Sequence, residues 1–366
     1  MRRVVGWRPG PGTVRRAVAG LALAAVSWLP AGSWLAAMSP LSETESGAPV
    51  AHGRERPARV ERTVYLMGTV ARFVAEAPDR ETGLLRLERM VRIVEATEAE
   101  LSTWRDDSVL SALNRQAVGV PRPVPAVTCD LFRRLTTWHA ATGGTFDPAV
   151  GRLVDAWGLR RSGASPGIAS PEQAPAGFHR LELDRARCTV TRRAPVTLDA
   201  GAFGKGEALD RVRRADTGAE GAWLIDFGGQ VAVSGPAADG PWPVALAHPE
   251  RRAEAAARLR LGGGSLATSG PSARDVRLDD GGRLGHILDP HSGRPVARSA
   301  PVTVWHEQAF VADVLSTALY VMGADTGLAW AGARDLAAAY LIADAAGGGV
   351  RVRATQAFEE RFGRRR

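Results

Sequence analysis

Lys205 is the single lysine among 47 basic residues; every other one is arginine. A chain that spells positive charge as arginine throughout uses a compact ammonium once. The two groups differ in shape, hydration and number of fixed donors, so the exception points to a site rather than to a solvated surface. Lys205 lies in Asp199-Ala-Gly-Ala-Phe-Gly-Lys205-Gly206. Here Val196–Asp199 reads as a strand delivering an acid to a turn, and Lys205–Arg214 reads as a helix. Small residues let a ligand approach the backbone, and the amides of a helix start attract anions, so the junction reads as a phosphate cradle. It is not a Walker loop, because the GxxxxGK[ST] spacing is absent.

Asp313 and Thr317 are four apart in an apolar helical stretch and therefore share one face. A carboxylate and a hydroxyl aimed at one point are hard oxygen donors suited to magnesium held together with a substrate's phosphates. Taken alone, such a pair is more often a capped or solvated helix face. His286-Ile287-Leu-Asp289-Pro290 ends in turn-forming residues, which puts an imidazole able to act as a general base near a strand end. Leu101-Ser-Thr-Trp104, Gly144-Thr145-Phe146-Asp147-Pro148 and Thr268-Ser-Gly270 are too short to carry chemistry one by one.

These residues need elements to hold them. Thr63–Glu76 alternates and is β-branched, with a break at Met67-Gly68-Thr69. Gly83–Leu101 has apolar residues at helical spacing, and a second helix is predicted over Ala126–Thr142, closed by Gly143-Gly144. Strands are predicted at Trp223–Phe227, Trp242–Ala247, Ala257–Leu261 and Val302–Trp305, and an alanine-rich helix at Ala309–Met322. Strands and helices mix without strict βαβ repetition, so the fold class is α+β.

With 366 residues, 45% of them hydrophobic, the chain can bury a sizeable core as one domain or two packed lobes. A net charge of +8 would admit nucleic acid, but the arginines are scattered and no nucleic-acid-binding motif is present. Cys129 and Cys188 are the only cysteines, with no CxxC and no cluster of histidines at ligand spacing, so neither a zinc site nor a disulfide framework is indicated and one bridge is left open. The first 16 residues carry five arginines and no acid, followed by an apolar stretch over Ala17–Leu29. Residues 1–38 therefore read as a secretory signal, or alternatively as an uncleaved anchor. Either places the protein outside the cytoplasm, in the periplasm or another exported location. Residues 39–59 read as a flexible linker, 60–350 as the folded domain and 351–366 as an arginine-rich tail.

In their order along the chain, the motifs resemble the ApbE family, the FAD:protein FMN transferases. The signatures are Met67-Gly-Thr69, Leu101-Ser-Thr-Trp104 with Asn114, Gly143-Gly-Thr-Phe-Asp147-Pro, Leu198-Asp-Ala-Gly-Ala-Phe-Gly-Lys205-Gly, Asp226-Phe-Gly-Gly229, Thr268-Ser-Gly270, His286-Ile-Leu-Asp-Pro290 and Ala312-Asp313 with Thr317. The resemblance implies mixed sheets with helices in two closely packed lobes and FAD bound between them. It implies FAD contacts for Met67, Trp104, Thr145, Phe146, Asp147, Asp199, Lys205, His286 and Ile287. It further implies a magnesium site made by the Ala202 carbonyl with the Asp313 and Thr317 side chains, and His286 and Lys205 as catalytic residues. The implied reaction moves FMN from FAD to a serine or threonine of an acceptor protein, such as an exported or membrane respiratory subunit, and releases AMP. The alternatives are a pyrophosphatase giving FMN and AMP, and a non-catalytic flavin-binding assembly protein. Gln230 and Pro271-Ser272 depart from the family pattern, which puts acceptor docking or nucleotide fit in question.

Overall fold

The computed structural model describes residues 56–160, 170–272, 275–277, 283–296, 299–344 and 349–363. The predicted leader and most of the predicted linker lie outside these residues. Among the described residues, no helix is long and apolar enough to cross a membrane.

An eight-stranded sheet forms the backbone of the fold. Its order is β1 (Ala58–Leu66), β2 (Thr69–Ala77), β6 (Trp223–Phe227), β7 (Gln230–Val233), β10 (Gly264–Ser269), β15 (Val302–His306), β16 (Ala337–Ala343) and β17 (Val350–Ala354), with every neighbouring pair antiparallel. A second sheet orders β3 (Pro121–Pro123), β5 (Thr189–Arg192) and β4 (Leu181–Asp184). Three ribbons complete the strands: β8 (Trp242–Ala247) with β9 (Ala255–Leu261), β11 (Val276–Arg277) with β12 (Arg283–Leu284), and β13 (Leu288–Asp289) with β14 (Arg294–Pro295). The helices are α1 (Arg80–Leu101), α2 (Val109–Arg115), α3 (Ala126–Ala141), α4 (Gly151–Ala156), α5 (Gly204–Ala215), α6 (Ala309–Met322), α7 (Ala324–Gly332) and α8 (Gln356–Phe362). This is the expected α+β class.

Alternation along the strands divides the core. Phe73, Ile225 and Phe227 face α1 and α5, whereas Val74, Leu224 and Leu266 face the β8–β9 ribbon and α8. A third cluster joins α3, the small sheet and α6 through Phe132, Phe146, Val190, Phe203 and Phe310. Fully burying side chains of this size contributes about 1.5–3 kcal/mol each, and truncating a buried Phe costs about 3–5. Helix α6 shows no exposed residue from Ala309 to Tyr320, and that burial fixes where its polar residues point.

Several sequence expectations need revision. The strand expected at Val196–Asp199 is irregular chain outside any sheet. It is held instead by Asn114, whose side-chain amide donates to the Leu198 carbonyl at 2.9 Å while its oxygen accepts from the Leu198 amide at 2.7 Å. The segment set apart as a tail includes the edge strand β17 and helix α8, which buries Phe358 against the sheet. Helices α2 and α4, each shorter than two turns, escaped the periodicity reading. Cys129 and Cys188 are bridged, with Cα atoms 5.5 Å apart, tying α3 to the turn before β5.

Candidate active site

Met67 and Gly68 form a two-residue hairpin turn between β1 and β2, both with positive φ of 48° and 73°. That is the primed geometry that matches strand twist. The Met67 amide donates to Glu98 Oε1 at 3.0 Å. Its methyl lies 3.1 Å from where a Cβ on Gly204 would sit, so the turn rests on the first residue of α5.

Beyond Asp199 the chain turns tightly into α5. Asp199 Oδ1 accepts from the Gly201 amide at 2.8 Å, and the Ala200 carbonyl accepts from both the Phe203 and Gly204 amides. No side chain of its own segment caps α5. The cap comes from α6: Asp313 Oδ2 accepts from the Gly206 amide at 2.9 Å, and Lys205 Nζ lies 3.2 and 3.5 Å from the two Asp313 oxygens. In return, Asp210 of α5 accepts from the Ala309 and Phe310 amides at 2.7 and 3.0 Å, capping α6. Burial raises the Asp210 pKa, and these two amides oppose that rise. Each such cap is worth about 1 kcal/mol. The reciprocal pair requires the helix starts to touch, and Gly206 permits this, because a Cβ there would come within 2.5 Å of the Ala309 carbonyl.

Hydroxyls cluster beside Asp313. Ser316 Oγ and Thr317 Oγ1 donate to the Asp313 carbonyl at 2.9 and 3.4 Å, and Ser269 Oγ lies 2.9 Å from Ser316 Oγ and 3.5 Å from Thr317 Oγ1. The Thr268-Ser-Gly270 motif thus supplies Ser269 to this cluster, and Ser316 is a neighbour the sequence reading missed. Asp313, only 4% exposed, already has a cation beside it in the Lys205 ammonium. One carboxylate with hydroxyls nearby fits a hard divalent ion. Among the described residues, no group of three or more His, Cys, Asp or Glu is placed to hold a metal, so a site here would draw on carbonyl, hydroxyl and phosphate oxygens.

Asp199 joins Trp104 through a residue the sequence did not single out. Arg160 donates to Asp199 Oδ2 at 2.8 Å, to Thr103 Oγ1 at 2.8 Å and to Asp155 at 2.6 Å, and its guanidinium lies 5.7 Å from the Trp104 ring. One arginine among so many carries no compositional signal. Trp104 is 71% exposed, which leaves its indole available for stacking. The Asp147 loop is structural in its side chains. Phe146 is fully buried in the core, and Asp147 accepts from the Ala149 and Phe178 amides at 2.7 and 2.9 Å and lies 3.2 Å from His139 Nε2. Burial pushes the Asp147 carboxyl up and the His139 imidazole down. Thr145 Oγ1 donates to the Thr142 carbonyl, and the Pro148 carbonyl accepts from the Asp199 amide, which sets this loop against the α5 junction.

His286 is oriented by a neighbour absent from the sequence reading. Asp275 Oδ1 lies 2.8 Å from His286 Nδ1, and Ser272 Oγ lies 3.2 Å from the same nitrogen. A proton on Nδ1 satisfies the carboxylate and leaves Nε2 as the acceptor. Burial raises Asp275, but the hydrogen bond from His286, its charge whenever the ring is protonated, and two backbone amides outweigh it and hold the carboxyl below its ordinary value. Tyr320, one turn beyond Thr317, is pushed up to about 12 by burial and then by Asp275, so the pair lies within electrostatic reach of α6. Ile287 packs on the core beside it. Gln230 is fully buried and donates to Ser265 and the Ala309 carbonyl, so this departure from the family pattern supports α6 and faces no docking surface.

The α+β fold thus joins a lysine and a carboxylate at the start of α5 and orients a histidine by a second carboxylate. Residues 67–341 match the ApbE family, and the chain belongs to it. The FAD:protein FMN transferase of Vibrio cholerae is 29% identical over 298 residues, 78% of this chain and 88% of that protein. The enzyme of the same name from Salmonella typhimurium is 30% identical over 70% and 77%. Among solved structures, Pseudomonas stutzeri flavinyl transferase ApbE in its apo form superposes with a TM-score of 0.73 at 27% identity, covering 84% of this chain and 98% of that one. The ApbE protein of Thermotoga maritima gives 0.72 at 26% identity, covering 83% and 99%.

Proposed function

We propose that this protein is an FAD:protein FMN transferase that requires magnesium, modifies a serine or threonine of an acceptor protein and releases AMP. The observation that carries this reading is the α5–α6 junction, where Lys205, the Gly206 amide and Asp313 bring a cation, a helix start and a carboxylate together in a chain of this family. Asp313 with Thr317 and the Ala202 carbonyl would hold the metal. When bound, the ion offsets charge on the pyrophosphate oxygens.

The chain's own residues do the rest. The turn Asp199–Gly206 and Lys205 bind the pyrophosphate, Met67 and Trp104 border the flavin, and Arg160 holds Asp199 and the Trp104 ring in one arrangement. An acceptor hydroxyl is a weak nucleophile and needs a base. His286 Nε2 takes the hydroxyl proton while Asp275 holds the ring by Nδ1. The oxygen attacks the FMN-side phosphorus, the bond to the bridging oxygen breaks and AMP leaves with it. We also propose that the protein works outside the cytoplasm. The arginine-then-apolar leader supports this, and so does the Cys129–Cys188 bridge, since disulfides persist in oxidising compartments.

The test is to co-express the protein with an exported acceptor and weigh the acceptor by mass spectrometry. A phosphoester-linked FMN adduct is expected, and purified protein with FAD and acceptor should fail to form it when chelator is present from the start. Free FMN and AMP without an adduct would establish the pyrophosphatase alternative, and FAD binding without turnover would establish a non-catalytic role.

A further inference from the structure

We infer that Lys205 is an exchangeable counter-ion, which keeps the Asp313 site closed to divalent cations until a pyrophosphate draws its ammonium away. The inference rests on the reading of Asp313 as a metal ligand and adds an order of events to it. Both Asp313 oxygens face Lys205, at 3.2 and 3.5 Å, and one also accepts the Gly206 amide. Among the described residues, no other cation pairs with Asp313, while Ser316 and Thr317 reach its backbone carbonyl instead. With Asp313 almost fully buried and Lys205 side chain 17% exposed, the carboxylate has its charge matched before any ligand arrives.

Lys205 Nζ stands 3.2 Å from Asp313 Oδ1, so a divalent ion on that carboxylate would lie no more than about 5 Å from the ammonium. Two charges against one at that distance repel enough, even at the dielectric constant of water, to weaken binding by about tenfold or more. The ammonium therefore has to leave, and a pyrophosphate at the start of α5 gives it somewhere to go. Lysine suits this exchange better than arginine. Its ammonium is a point charge on a flexible stem that can rotate between partners, whereas a guanidinium fork would lock onto the carboxylate in a two-point pair. The exchange accounts for the one lysine in an arginine-rich chain. It also predicts that FAD and the metal strengthen each other's binding by the same factor.

The experiment measures Mn²⁺ binding to the full chain without nucleotide, by loss of the free-ion electron paramagnetic resonance signal. It compares wild type, Lys205→Met, Lys205→Arg and the double variant Lys205→Met/Asp313→Asn, each checked for a cooperative thermal melt. Lys205→Met should bind Mn²⁺ at least about tenfold more tightly than wild type. Lys205→Arg should bind no better than wild type, and the double variant should lose the gain. A second measurement follows FAD affinity by flavin fluorescence with and without Mn²⁺. If Lys205→Met gains nothing while Mn²⁺ still tightens FAD binding to wild type, the counter-ion inference is overturned and the metal reading stands. If Mn²⁺ affects neither, both fall.

Discussion

The Lys205–Asp313 junction and the Asp275–His286 pair each set a carboxylate beside a nitrogen and each lie within electrostatic reach of α6, yet they are built differently. The first stands where two helix starts meet, each capped by a carboxylate from the other, with Phe203 and Phe310 packed beneath. Its geometry is a by-product of core packing. The second hangs from the two-residue ribbon strands β11–β14, and Ser272, Asp275 and His286 hold one another by polar contacts. A site fixed by the core survives local change, whereas one fixed by a few hydrogen bonds depends on each of them.

The largest effect should come from the core-built region. Asp313→Ala removes both the charge that draws the cation and the cap on α5. FAD turnover followed by AMP release should fall by about 10³-fold, and the melting temperature should drop as well. Turnover that stays within a few-fold of wild type would remove Asp313 from the chemistry and leave it a helix cap. In the ribbon region, His286→Ala should lower kcat by about 10²-fold or more, the usual worth of a positioned base, with a smaller drop in melting temperature than Asp313→Ala.

Asp275→Asn sharpens the contrast, because it keeps the shape and changes the ring's tautomer. An amide donating to Nδ1 would leave the proton on Nε2, so kcat should fall by about tenfold while KM for FAD holds. Full activity in this variant would show that His286 needs no partner. Reducing the Cys129–Cys188 bridge should affect neither site. Its removal from a loop of 59 residues costs stability, about 4 kcal/mol on the chain-entropy account, and kcat at 25 °C should not move. A parallel loss of turnover would mean that the small sheet positions the site.

The smallest effect concerns acid. Asp275 is held below its ordinary pKa in the fold, so its contribution is present above the unfolded value near 4 and is lost as pH falls through the folded one. The protection factors for hydrogen exchange at residues 283–290 should therefore fall below about pH 4, while those of α5 hold. Equal protection in both regions across that range would erase the distinction between them.

Much of this was legible in the sequence, and the physical reason differs from residue to residue. Hydrophobic periodicity placed α6 at its observed bounds and Trp223–Phe227 as a strand, because a 14-residue buried helix and a buried strand leave patterns no neighbour can override. Composition marked Lys205, and motif order pointed to the family. What the sequence alone determined is therefore the class of fold, the helix start at Lys205 and the types of residue at the site. Only the tertiary structure decided which of them meet. Val196–Asp199 alternates like a strand but is held by Asn114, 84 residues away from Leu198, and Arg160, Asp210 and Asp275 act through partners 39, 99 and 11 residues distant. Local pattern records which face a residue turns toward the core, and it contains no term for a hydrogen bond made across the fold. For that reason the sequence could name Lys205 and Asp313 separately, while their contact at 3.2 Å appears only where α5 and α6 cap each other.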